Sequence, residues 1–332
     1  MKIISIQNNL GIPKYKQIIS SIEKAIEDEK LVKDDRLPSI NKVCLEFSLS
    51  RDTVLQAYEE LKKRGIIYAI LGKGYYVRST EITTKQKIFL LFDELNIFKE
   101  DLYNSFMEHI GKNVQADIFF HHFNLPVFKK LINDNNGNYT KYVIMPTNLD
   151  GADLYIKNLP AQEVYILDQT NPELKSYPAV YQNHKKDIYD ALSKGKHRLS
   201  NYKKLVLIFP GYREPIGMRE GFENFCVDFL FEQEVITTFT NREIKIGEVY
   251  IIPNDRDLVS VIEKSKTKNL KLGHHFGIIS YNETPLKKVV ENGITTISTD
   301  FKEMGEIIAK MILEGNREQI ENKCALISRN SL

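Results

Sequence analysis

Residues 49–65 read LSRDTVLQAYEELKKRG. Val54, Leu55, Ala57, Tyr58 and Leu61 recur every third or fourth position, the period of a helix with one apolar side. Ser50 is placed to cap that helix, and Gly65 suits its C-terminal end. Arg51 and Thr53 then fall in the first turn. Lys62, Lys63 and Arg64 fall in the last, where cations complement the helix dipole. An amphipathic helix headed by arginine is common on its own, so its neighbours decide its meaning.

Upstream, Tyr15, Ile18, Ile19, Ile22, Ala25 and Ile26 predict a helix over 14–31, with Pro13 at its start. KDDRLPS (33–39) reads as a turn, from which Ser39 caps a second helix through about Phe47. Downstream, IIYAILGKGYYVRS holds two β-rich runs around Leu71-Gly72-Lys73-Gly74, a hairpin. Three helices followed by a glycine-tipped hairpin are the plan of a winged helix-turn-helix, over residues 1–78. STEITTKQ (79–86) has no apolar stripe and reads as a linker.

In this motif the second helix enters the DNA major groove N-terminus first. Arg51 can contact guanine through two hydrogen bonds, and Thr53 and Gln56 can reach base edges or phosphate. Lys73 sits at a tip whose glycines let the backbone approach the duplex. The candidate DNA-binding set is Ser39, Asn41, Arg51, Asp52, Thr53, Gln56, Gly72, Lys73 and Gly74. Gly72-Lys73-Gly74 lacks the flanking pattern of a phosphate-binding P-loop.

LPSINKVCLEFSLSRDTVLQAYEELKKRGIIYAILGKGYYV (37–77) resembles the DNA-binding domain of the GntR family of bacterial repressors. The resemblance implies operator contacts from Arg51, Thr53 and Gly72. Asn41 and Leu55 stand where that family often has arginine, so the base preference is this chain's own.

After residue 86 strand-like and helix-like segments alternate. KIFLLF, VQADIFFHH, KYVIMP, AQEVYILD, KLVLIFP, EVYIIP and HFGIIS are apolar runs separated by amphipathic ones. This predicts parallel sheets with helices on both faces, in a two-lobed α/β domain over 87–332. The first crossing between lobes is expected at YPAVYQN (177–183). Polar residues just past strand ends face the crevice where such sheets bind ligands. Asp93, Glu94, Asn96, Thr147, Asn148, Asn254, Asp255, Tyr281 and Asn282 occupy such places. Gly305 permits close helix packing.

IIPNDRDLVSVI, FGIISYNETPL and NGITTISTDFKEMGEIIAKMILEG resemble the effector domain of the LacI family, itself similar to periplasmic sugar-binding proteins. By that resemblance Asp168, Asn254 and Asn282 line the cleft. Met218 stands where the family usually supplies an arginine, and Arg213, Glu214 and Arg219 are the candidate substitutes. A GntR-type reader joined to a LacI-type sensor resembles the arabinose repressor class.

Composition is that of a globular protein, with 42% hydrophobic and 27% charged residues. Residues 1–80 carry 14 Lys/Arg against 10 Asp/Glu, and the rest 32 against 34, so the excess of cations lies with the reading domain. No apolar run reaches the roughly 18 residues of a membrane span, and no export signal opens the chain. Three scattered cysteines argue for a reducing compartment, so a cytoplasmic location is expected. No cofactor or metal is expected. The adjacent pairs His121-His122 and His274-His275 would point to opposite strand faces. Without tryptophan, sugar stacking would fall to Phe98, Tyr212 or Tyr281.

The expectation is a repressor whose homodimer binds a palindromic operator and whose effector is a monosaccharide held between the lobes. Two alternatives stay open. One is a metabolite-converting α/β enzyme with an appended DNA-binding domain, although no catalytic constellation is visible. The other is a constitutive DNA binder whose large domain only dimerises.

Overall fold

The computed structural model describes residues 3–7, 11–80, 86–111, 114–211 and 213–332. The expected linker is described except at 81–85.

The N-terminal part is α1 (Lys14–Glu27), α2 (Ile40–Phe47), α3 (Arg51–Lys63) and a hairpin of β1 (Ile67–Ile70) with β2 (Gly74–Val77). α1 stops at Glu27 rather than at residue 31. The Leu31 amide folds back onto the Ala25 carbonyl, and Glu29 takes φ 55°, which a continuing helix forbids. Ile18, Ile22, Val54, Ala57, Tyr58, Leu61 and Ile67 form the core of this unit. The buried Tyr58 hydroxyl donates to the Pro38 carbonyl at 2.7 Å, pinning the turn before α2 to α3. A buried tyrosine is tolerated because that bond satisfies its polar end.

The remainder is two six-stranded sheets. In the first lobe β3 (Gln86–Phe92), α4 (Ile97–Ile110), β4 (Val114–Phe120), α5 (Leu125–Asn135), β5 (Lys141–Ile144), α6 (Ala152–Ile156), β6 (Val164–Asp168) and β7 (Ala179–Tyr181) follow in order. The chain then crosses to α7 (His184–Leu199), β8 (Lys204–Ile208), α8 (Ile216–Asp228), β9 (Glu232–Ile236), β10 (Glu248–Ile252), α9 (Asp255–Thr267), β11 (Gly277–Tyr281), α10 (Pro285–Val289) and β12 (Thr295–Thr299). It returns as α11 (Phe301–Glu314) and β13 (Gln319–Glu321), and ends in the second lobe as β14 (Cys324–Ile327).

The first sheet runs β13-β7-β6-β5-β3-β4, and the second β14-β12-β11-β10-β8-β9. All pairings in the two are parallel except β12 with β14. The chain thus passes between lobes three times: after β7, where the first crossing is expected, after β12 and after β13. Helices cover both faces of each sheet, which is why β6, β10, β11 and β12 are buried along their whole length and read as continuous apolar runs. α4 and α11 pack together over the first lobe. Gly305 makes that contact possible: a Cβ there would lie 2.3 Å from the Leu102 carbonyl oxygen.

Candidate DNA-reading face and interlobe cleft

The start of α3 is built by short-range hydrogen bonds. Ser50 accepts from the Thr53 amide at 3.2 Å, and the two hydroxyls lie 2.8 Å apart. Ser39 caps α2 by accepting from Lys42 N at 3.2 Å. Arg51 is exposed and donates to Asn41 Oδ1 at 3.1 Å. The asparagine that stands where arginine is frequent therefore orients the arginine expected to meet the bases. Asp52 is exposed in the same first turn.

Gln56 lies on another flank. With Glu60 and Arg64 it borders a cavity of about 580 Å³ that is also lined by Tyr15, Glu23 and Lys87. Arg51, Asn41 and Thr53 do not line it. The wing is a tight turn in which Gly72 and Gly74 take φ 74° and 114°. Lys73 is exposed at its tip. Arg36, absent from the expected set, joins this surface: a Cβ on Gly74 would sit 3.5 Å from its Nε. Its signal lay in KDDRLPS, read there only as a turn.

In the first lobe the expected cleft residues surround a cation that sequence reading passed over. Lys99, in the first turn of α4, is 3% exposed. Its ammonium donates to Asp168 Oδ2 at 2.7 Å, to Asp93 at 3.4 Å, and meets Met145 Sδ at 3.2 Å. Asp93 also accepts from Glu94 N and from the Thr147 hydroxyl. Asp168 accepts from Gln182 as well, and Gln182 in turn accepts from Thr299. One chain of hydrogen bonds thus runs from α4 through Asp168 to two of the three crossings. Burial alone would raise the Asp168 carboxyl, but the Lys99 charge and hydrogen bond outweigh it and hold it below the usual range. Lys99 is raised although burial opposes it, because both carboxylates favour its charged form.

Asn96 caps α4 and donates to Glu94. Arg213, from the loop after β8, reaches across the mouth. It donates to Glu94 at 3.3 Å, its carbonyl accepts from Asn148 at 2.9 Å, and its guanidinium lies 4.9 Å from the Phe123 ring. Asn148 and Thr147 also border a polar recess of about 430 Å³ beside the ends of β5 and β6. These expected rim residues are therefore brought together. Others have local partners. Glu214 accepts from the Gly211 amide, and Arg219 pairs with Glu223 one turn along α8. Met218 is buried in the second-lobe core.

Asn254 caps α9, using its oxygen for Asp257 N and its amide for the Asp257 carboxylate. Asp255 pairs with the buried Lys287 at 3.0 Å. Asn282 takes φ 58° directly after β11. Of the stacking candidates, Phe98 stacks on Phe301 at 4.8 Å, Tyr281 is buried, and Tyr212 lies outside the described residues. His121 is wholly buried and contacts the Met145 carbonyl.

Asp187, in the first turn of α7, has one oxygen facing the Asn183 amide and the other without a protein partner. Burial, with Glu321 adding to it, pushes this carboxyl up to about 7. Its pKa is higher folded than unfolded, so the folded state binds more protons in between. Its contribution to stability is fullest at acid pH and falls as pH rises towards 7. Relative to wild type, Asp187→Asn should gain stability between pH 4 and pH 8. Melting curves across that range check it, and a constant difference would contradict it.

Comparison with known proteins now bears on both parts. Residues 14–77 match the model of the bacterial regulatory proteins, gntR family. They are a GntR-family helix-turn-helix domain. The GntR domain is 36% identical over 64 residues to the uncharacterized HTH-type transcriptional regulator YcxD of Bacillus subtilis, covering 19% of this chain and 14% of that protein. It is 38% identical over 66 residues to the arabinose metabolism transcriptional repressor of Geobacillus stearothermophilus, covering 20% and 18%. The chain thus spans less than a fifth of either relative.

Downstream of the GntR domain the likeness is one of fold. A dimeric Lac repressor superposes with a TM-score of 0.61 at 12% identity, over 74% of this chain and 98% of that one. A periplasmic binding protein/LacI transcriptional regulator from Alkaliphilus metalliredigens, complexed with D-xylulofuranose, gives 0.58 at 12% identity, over 74% and 98%. The large domain has the LacI-type, periplasmic-binding-protein-like fold. Among the described residues no helix is long and apolar enough to cross a membrane.

Proposed function

We propose that this chain is a transcriptional repressor whose GntR domain binds operator DNA and whose two-lobed domain sets that affinity by binding a small sugar between its lobes. The observation that carries the reading is the union in one chain of an exposed Arg51–Asn41 reading edge with a two-lobed receptor latched by Arg213. The repressors and sugar-bound regulator similar to its two parts support it.

Coupling requires the ligand to favour one lobe arrangement over another. Glu94 and Asn148 hold Arg213 across the mouth, so a bound ligand and this latch act on the same closure. A typical coupling of about 1–3 kcal/mol changes operator affinity roughly 5–150-fold. A homodimer supplies two readers to a palindromic site. Val259 on α9 and Leu286 and Val289 on α10 are exposed apolar residues on two helices tied by Asp255–Lys287, and they are the contact surface proposed for it.

Arg51→Ala should weaken specific operator binding by about 1–3 kcal/mol, because it removes a base-reading side chain. Gel-shift titration of wild type and variant on a selected operator, with a scrambled duplex as reference, measures this. Equal affinities for the operator would overturn the assignment of α3 as reader.

A further inference from the structure

The GntR domain and the first lobe meet where the segment entering α1 reaches the turn between α5 and β5. A Cβ on Gly137 would lie 2.8 Å from Ile12 Cγ2, and one on Gly11 would lie 3.0 Å from Asn136 Nδ2 and 3.1 Å from the Asn158 carbonyl oxygen. Glycine on each side thus lets the two backbones approach. Lys16, in the first turn of α1, donates to the Asn136 carbonyl at 3.4 Å and to the Asn138 side-chain oxygen. Asn136 is 7% exposed.

The lobe holds this turn in a fixed shape. The buried Tyr142 hydroxyl accepts from Gly137 N at 2.7 Å and donates to the Asn135 carbonyl at 3.0 Å. Asn136 donates to the Asn158 carbonyl and Asn138 to the Asp134 carbonyl, each at 3.1 Å. Tyr142 belongs to β5, whose four residues lead from the turn to Met145, Thr147 and Asn148. Those three meet Lys99, Asp93 and Arg213 respectively. The joint and the cleft mouth therefore stand at opposite ends of one short strand. Beside the joint the domains part around the cavity of about 580 Å³, with Gln56 and Glu60 on one wall and Lys87, Gln115 and Thr140 on the other. A contact this small is reversible, but a short tether holds joined domains at roughly millimolar effective concentration, which favours its closure. Arg51, Asn41 and Lys73 are exposed and do not line that cavity, so the closed joint leaves the edge proposed to read DNA uncovered.

We propose that this joint, Ile12 and Lys16 against the turn of Asn136 to Asn138, fastens each GntR domain to its own first lobe and so fixes the half-site spacing that a homodimer of this chain recognises. A domain held only by its tether swings and accepts many spacings. A fastened one presents α3 at one distance and one rotational phase. Half-sites are matched in steps of one helical turn, about 10–10.5 bp, so a shift of half a turn destroys the match. The inference rests on the DNA-binding dimer proposed above and adds the part that measures its operator.

The test uses the full-length protein and a selected operator, with its half-sites as selected or moved apart by 5 or 10 bp. Lys16→Glu sets a carboxylate against the Asn136 carbonyl, Asn138→Lys sets two ammonium groups together, and the double variant restores attraction. Gel-shift titration gives each protein its own spacing penalty, a ratio in which any change in single half-site affinity cancels. Wild type is expected to lose about tenfold or more at 5 bp and to recover part of it at 10 bp. Each single variant should lose only about twofold at 5 bp, and the double variant should regain the wild-type penalty. A second arm is Ile12→Cys combined with Gly137→Cys. The Cβ positions of these residues lie 3.7 Å apart, within the reach of a disulfide. Residue 137 has φ 74°, so this pair is judged by cross-linking and not by stability. On oxidation it should cross-link, as peptide mass mapping reports, and keep the wild-type spacing profile.

Equal spacing penalties in wild type and the single variants overturn the inference and leave the regulatory reading standing; should one single variant misfold, the other decides. A folded cysteine pair that does not cross-link also overturns it, since the two faces then do not meet. So does a cross-linked protein that loses the operator and regains it on reduction, the joint then belonging to a released state. Failure of wild type to bind any selected duplex overturns the regulatory reading and this inference with it.

Discussion

Lys99→Met is expected to destabilise the protein by about 3–5 kcal/mol, the range for removing one partner of a buried ion pair. The variant keeps the side-chain length but leaves Asp93 and Asp168, 4% and 3% exposed, facing each other without a cation. The Asp168 carboxyl, which Lys99 now holds low, would then titrate higher, since burial favours the neutral acid. The deficit against wild type should therefore be largest near pH 7.5 and shrink towards pH 4, where protonation relieves it. Adding Asp168→Asn to Lys99→Met should recover part of the loss by removing one of the two unpaired charges. Denaturant titrations of the three proteins at both pH values check this. A loss independent of pH and unrescued by the second substitution would mean that Lys99 matters only by filling space. Because the same ammonium reaches the crossings through Asp168, Gln182 and Thr299, the single variant should also respond less to the proposed effector.

Gly305→Val is the second large effect. α4 and α11 touch backbone to backbone at this point. A Cβ on residue 305 would lie 2.3 Å from the Leu102 oxygen, 2.9 Å from Phe106 N and 3.1 Å from the Ser105 Cβ. Two of these are main-chain atoms within α4, so no rotamer change makes room and the helices must separate. Ser105, which donates to the Lys302 carbonyl at 2.7 Å, would lose that bond as they part. The cost should reach the upper end of the overpacking range, about 3 kcal/mol. Melting of Gly305→Val against wild type measures it. The GntR domain has its own core and should stay folded when the large domain is loosened, which residual operator binding at low temperature would report. A variant as stable as wild type would show that the helices do not meet as described.

The helices and hairpin proposed to read DNA were legible because their determinants are local. Ser39, Ser50 and the wing glycines act within a few residues, and the apolar period of α3 records which side is buried. The expected cleft residues were legible as a kind, polar groups after strand ends, but not as individuals. Glu94, Asn148 and Arg213 do meet across the mouth. Asn254 is spent on a helix cap, and Arg219 on a neighbour one turn away. Nothing in IFKEDLYNSFMEHI distinguishes Lys99 from a solvated lysine, because its two acids lie 6 and 69 positions away in sequence. Asp187 was likewise hidden in an ordinary amphipathic helix. The elements not foreseen were short: α6, β7, β9, β13 and β14 carry too few residues for a period to show, and they exist because longer neighbours pair with or cover them.

What this sequence determined by itself is a set of short-range facts: where each cap, turn and apolar face lies, and hence a winged helix-turn-helix followed by alternating strands and helices. What only the tertiary structure decided is which charges became partners. Burial is a property of the assembled lobes, and a carboxylate is open to a ligand or committed to a lysine according to which segments the three crossings bring together.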